Sequence, residues 1–136
     1  MGGLYARALA RRRPDLVRCV ITLASAALPP HRSNYIWPLY EALTLQPERT
    51  MHVPSPVPVP CTSVFSRVDG LSNWQPCLQP SGRNENVGIV SSHTGMVNHP
   101  ATLYLLTDRL AQPEGEWRPF VPPSWMRCFY ETERAA

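Results

Sequence analysis

Apolar positions recur with a helical period at the start of the chain. Residues 4–13, LYARALARRR, place Leu4, Tyr5, Ala8 and Leu9 on one face and consist of good helix formers. This predicts a helix that Pro14 stops. Arg11, Arg12 and Arg13 fall in its last turn, where cations suit the helix dipole. They read as a solvated helix end rather than a basic patch. The pattern then changes: in residues 17–23, VRCVITL, Val17, Val20, Ile21 and Thr22 are β-branched, and Cys19 to Leu23 has little polar interruption. Such a run suits a parallel strand covered on both faces, and helix followed by buried strand is an α/β pattern. Two further strands are predicted at 61–66, CTSVFS, and 86–90, NVGIV. A helix is predicted over 99–111, with Pro100 in its first turn and Leu103, Leu106 and Leu110 as its core face.

Between the first two strands the chain changes character. Pro29-Pro30 leads to a short predicted helix around Tyr35–Leu45 and then to PSPVPVP at Pro54–Pro60. Residues 29–57 read as a cap-like insertion. The Val-Pro alternation is extended backbone, either a stiff connector into the second strand or a ligand for a proline-reading module. Tyr35, Trp37 and Tyr40 either line an apolar acyl pocket or pack the cap. The domain is drawn as residues 1–120, followed by a tail, 121–136, with no assigned structure.

Composition narrows the picture. At 136 residues the chain fits one domain, and 43% hydrophobic with 17% charged residues argues against disorder. Sixteen prolines require much loop. A net charge of +3 lacks the dense basic clustering of a nucleic-acid binder. No apolar run approaches the roughly 18–20 residues of a membrane span. The arginines follow the first apolar residues instead of preceding them, unlike a signal peptide, so a cytoplasmic location is the default expectation. Cys19, Cys61, Cys77 and Cys128 form no C-x-x-C pair and read as free thiols. His31, His52, His93 and His99 lack metal-ligand spacing, and no cofactor is implied.

The candidate chemistry lies in Asp69 and His93. Asp69 follows one predicted strand and His93 follows the next, and ligands bind beyond the carboxyl ends of strands in open α/β sheets. A histidine base with an acid on its far nitrogen can activate a serine hydroxyl. The segments MGGLYARALARRRPDLVRCVITLASA, SRVDGLSNW and VSSHTGMVNHPATLYLLTDRLAQPEGEWRPF together resemble α/β-hydrolases of the lipase and esterase type. The resemblance covers about residues 1–30 and 60–120. It implies the C-terminal part of an α/β-hydrolase sheet, about three parallel strands with flanking helices and a small cap. It matches Asp69 to the triad acid, His93 to the base and the Met1 backbone N–H to the oxyanion hole. Gly2 and Gly3 match residues that let the first helix approach the sheet.

The resemblance places the nucleophilic serine immediately before Met1, so the expectation is a fragment of an enzyme acting on carboxylic esters or lipids. By itself such a chain would be inactive, and a missing N-terminal half would be its partner. Ser25, Ser63, Ser66, Ser91 and Ser92 do not lie in a G-x-S-x-G context. The other open reading is a non-catalytic remnant or an interaction module using residues 54–60.

Overall fold

A computed structural model describes residues 2–26, 57–80 and 82–132. The cap-like insertion expected at 29–57, with its predicted helix and aromatic residues, therefore lies outside the described residues except for Val57, and Met1 lies outside them too. The architecture is α/β, a four-stranded mixed sheet with flanking helices. Helix α1 spans Gly2–Arg12. Strand β1 is Val20–Leu23, β2 is Cys61–Phe65, β3 is Asn84–Ile89 and β4 is Tyr130–Thr132. Helix α2 spans Pro100–Ala111.

The strands lie in chain order. β1 and β2 are parallel, with Val20 opposite Cys61 and Leu23 opposite Val64. β2 and β3 are parallel, with Cys61 opposite Asn84 and Phe65 opposite Gly88. β4 runs antiparallel to β3, pairing Tyr130 with Ile89. The three expected parallel strands thus gain an antiparallel fourth from the segment that was expected to be a tail. That segment is anchored by Met126 and Tyr130, buried in the main core beside Phe120.

Side-chain alternation along the strands sorts the core into two layers. Val64, Val87 and Ile89 meet Ala101 and Leu105 of α2 on one face. Val20 and Cys61 meet Ala10 of α1 on the other, together with Val57 and Val59. In the described part of the Val-Pro alternation, Val57 and Val59 turn inward while Pro58 is exposed. β1 begins at Val20, three residues later than predicted. Val20 N donates to Pro60 O at 2.9 Å, and proline has no N–H with which to carry the ladder further back.

Both helices present faces other than those the hydrophobic pattern predicts. In α1 the buried residues are Leu4, Arg7 and Ala10, while Tyr5 and Leu9 are exposed. In α2 they are Ala101, Thr102, Leu105 and Arg109, while Leu103 and Leu110 are exposed. Each helix buries an arginine because the sheet supplies acceptors for it. Arg7 donates to Thr22 Oγ1 at 3.2 Å, Ser25 O at 2.9 Å and Ala26 O at 3.3 Å. Arg109 pairs with Glu85 of β3 at 2.8 Å and also donates to Arg118 O. β3 begins two residues before the predicted strand at 86–90, with the polar residues Asn84 and Glu85. Glu85 is nevertheless accommodated in β3 by Arg109, Thr62 Oγ1 at 2.7 Å and the Phe120 N–H at 2.6 Å.

Candidate functional site

Two loops leave the carboxyl ends of the adjacent parallel strands β2 and β3. After Phe65 the chain turns at Arg67-Val68, with Asp69 N donating to Ser66 O at 3.4 Å. Asp69 then caps its own loop: its Oδ1 accepts from Leu71 N at 2.8 Å and Ser72 N at 2.9 Å. These bonds fix one carboxylate oxygen and leave Oδ2 for another donor. That donor is His93 Nδ1, at 2.8 Å. The Asp69 side chain is 1% exposed and that of His93 is 36% exposed. The acid is shielded while the imidazole reaches solvent.

The second loop is fixed just as locally. Gly95 N donates to Ser92 Oγ at 3.1 Å and Met96 N to Ser92 O at 3.0 Å, forming the short 3-10 turn Gly95–Asn98 after His93. A Cβ at Gly95 would stand 2.8 Å from Ser92 Oγ, so a side chain there would displace the hydroxyl that accepts from Gly95 N. Met96, fully buried, pins the turn to the core. His99 then accepts from Ala101 N through Nδ1 at 3.2 Å and so caps α2. His99 is therefore occupied structurally. Beside the Asp69 loop, Trp74 stacks on Phe65 with ring centroids 5.6 Å apart, and the Arg67 guanidinium lies 4.8 Å above the Trp74 ring.

The bonding pattern sets the tautomer of His93. A carboxylate only accepts, so Nδ1 carries the proton. In the neutral ring Nε2 is then the basic nitrogen, and among the described residues it has no hydrogen-bond partner. A ring oriented in this way can take a proton from a hydroxyl brought to Nε2 and is then stabilised as imidazolium by the buried carboxylate.

No serine hydroxyl among the described residues bonds to His93. Ser63 Oγ donates to Cys77 O at 2.6 Å, Ser66 Oγ to Ser91 O at 2.6 Å and Ser91 Oγ to Ser92 O at 3.2 Å. Of the two glycines expected to admit α1 to the sheet, Gly3 does so: a Cβ there would meet Ser25 Oγ at 2.2 Å and Thr22 Cγ2 at 3.2 Å. A Cβ at Gly2 would meet nothing within 4 Å.

Sequence reasoning overlooked Ser66 as a structural element of this site, since a serine after a strand carries no periodic signal. All four cysteines are free, and burial pushes the Cys77 thiol up to about 11. Burial also raises Cys61. Neither has the lowered pKa of a reactive thiolate. Among the described residues no group of His, Cys, Asp and Glu could hold a metal ion, and no helix is long and apolar enough to cross a membrane. A cavity of about 50 Å³ opens at the amino ends of β1 and β2, lined by Arg18, Thr62, Arg83 and Trp117 among others. It is too small for a drug-sized ligand and does not include Asp69 or His93. Comparison with models of known protein families, with curated proteins and with solved structures finds no match to this chain.

Proposed function

We propose that the chain is the carboxyl-terminal part of a serine hydrolase of the α/β-hydrolase fold, acting on carboxylic esters or lipids. In this reading Asp69 is the triad acid and His93 the base. The nucleophilic serine belongs to a segment preceding α1, as does the rest of the sheet. The observation that carries the reading is the 2.8 Å bond between Asp69 Oδ2 and His93 Nδ1, formed beyond the carboxyl ends of adjacent parallel strands. Val57 and Val59 are packed inward, which leaves Pro58 as the exposed residue of 57–60 and gives the interaction-module alternative less surface.

The chemistry follows from the tautomer. As the serine oxygen attacks the ester carbonyl, His93 Nε2 takes its proton and the Asp69 carboxylate stabilises the resulting imidazolium. The carbonyl oxygen becomes an oxyanion, which the resemblance assigns partly to the Met1 backbone N–H. Nε2 then returns the proton to the leaving alkoxide as the ester C–O bond breaks. A water molecule repeats the sequence on the acyl-enzyme, and the carboxylic acid leaves.

The test begins with the coding DNA in frame upstream of Met1. A strand ending in Gly-x-Ser there is the expected result. The protein expressed with that segment should be labelled by a fluorophosphonate, and His93→Gln should abolish labelling. An upstream stop codon, or labelling indifferent to His93, would overturn the proposal.

A further inference from the structure

The two loops that carry Asp69 and His93 issue from separate strands, and the backbone ladder between those strands ends before the loops begin. Its last paired residues are Phe65 and Gly88. Past that point a side chain takes over. Ser66, only 2% exposed, donates from Oγ to Ser91 O at 2.6 Å and accepts from Ser91 N at 3.2 Å. The same oxygen accepts from Val68 N at 3.3 Å. A hydroxyl has one donor and two acceptor positions, and all three are used.

The distribution of these partners matters more than their number. Ser91 stands two residues before His93, and the hydroxyl engages both of its backbone polar groups. Val68 stands immediately before Asp69, and Ser66 O accepts from Asp69 N. One buried residue thus ties the backbone beside the acid to the backbone beside the base. We propose that Ser66 is the positioning residue of the Asp69–His93 pair, setting the separation of the two loops so that the carboxylate and Nδ1 meet at bonding distance. Its consequence for catalysis rests on the hydrolase reading above, whereas its effect on the pair does not. Without the hydroxyl, the Asp69–His93 bond bridges two loops whose backbone groups at Val68 and Ser91 have lost their buried partner.

The test uses the chain itself. In the unmodified protein the Ser91 and Val68 amides should exchange with solvent about tenfold or more slowly than unstructured amides, because each donates to a buried oxygen. Ordinary loop exchange rates at both would overturn the proposal without any variant. The signature of the pair is the low-field Nδ1–H proton of His93 together with its ring ¹⁵N shifts, with Asp69→Asn as the reference for a lost bond. Ser66→Ala should move that proton toward the Asp69→Asn position or broaden it away, and Ser66→Thr, which keeps the hydroxyl, should restore it. Val64→Ala, a core substitution far from the loops in chemistry, should destabilise the fold and leave the signal in place. An unchanged signal in Ser66→Ala, or equal loss in Val64→Ala, refutes a positioning role. Fluorophosphonate labelling is a separate readout, so failure of the hydrolase reading and failure of this inference are distinguishable.

Discussion

Replacing Glu85 with glutamine removes one charge and almost no volume, yet it should be among the more damaging single changes in the molecule. Glu85 Oε1 accepts from Thr62 Oγ1 and Arg109 Nη1, and Oε2 accepts from Phe120 N. The side chains of Glu85 and Arg109 are 11% and 5% exposed. Glutamine offers a single acceptor oxygen. Turned one way, its NH₂ opposes the Phe120 N–H; turned the other, it opposes Arg109 and Thr62. The gentler choice still strands one buried donor, at about 1–3 kcal/mol. The guanidinium loses its buried countercharge as well; breaking such a pair costs about 3–5 kcal/mol, a figure that already includes the stranded partner. Asp108 does not compensate, because its side chain is 39% exposed and screened. The expected loss is therefore about 3 kcal/mol, read as a lowered urea midpoint. With a slope of roughly 1–3 kcal/mol per molar urea, the midpoint should fall by about 1 M or more. Replacing both Glu85 and Arg109 with methionine should recover much of the loss, since a buried ion pair and a packed apolar pair are often of similar stability. A Glu85→Gln loss below about 1 kcal/mol, or a double variant as unstable as the two single losses added, would refute the argument.

Three further outcomes follow from the same geometry. Asp69→Asn keeps an acceptor for the Leu71 and Ser72 amides but can present an NH₂ to His93; the chain should fold, with ring ¹⁵N shifts reporting the proton moved to Nε2, and in an active full-length form turnover should fall by about 10⁴. Burial, with the Tyr104 and Asp108 charges adding to it, pushes the Tyr130 hydroxyl up to about 12, and burial pushes the Cys77 thiol up to about 11. Both groups bind their protons more tightly when folded, so their stabilisation is complete below the unfolded values near 9–10 and is lost as pH rises through 11–12. Urea midpoints should therefore fall between pH 9 and 12, less so in Tyr130→Phe. Gly3→Ala should destabilise by about 1–3 kcal/mol through contact with Ser25, whereas Gly2→Ala, which meets nothing, should be neutral or stabilise by up to about 1 kcal/mol; equal effects at the two positions in thermal unfolding would contradict the close approach at Gly3.

The sequence disclosed those parts of the fold in which apolar residues do the work. β-Branched runs located β1 and β2, and an acid after one strand with a histidine after the next brought Asp69 and His93 together for attention. Where polar residues carry the structure, periodicity misled. Leucines at 103 and 110 outnumbered the signal of the true α2 face, which buries Thr102 and Arg109. Arg109 reads as surface until Glu85 is placed opposite it. The tail concealed β4 because Met126 and Tyr130 follow no single period, and their burial depends on a sheet edge that only the assembled fold provides. Ser66 stood among several serines with nothing to distinguish it. Its role exists only between two loops 25 residues apart.

Arg7 has an implication for mutational drift. Where β1 ends, Ala24 takes a left-handed φ of 44°, a conformation a side chain tolerates poorly, and the chain beyond it is gripped by the Arg7 guanidinium. The grip falls on the carbonyls of Ser25 and Ala26, and every amino acid has a carbonyl. Replacements at positions 25 and 26 that respect the space near Gly3 can therefore accumulate without loosening the hold. Position 7 has no such latitude, because the planar donor fork comes from its side chain alone. Among related sequences, the arginine should persist through wide variation in the residues it holds.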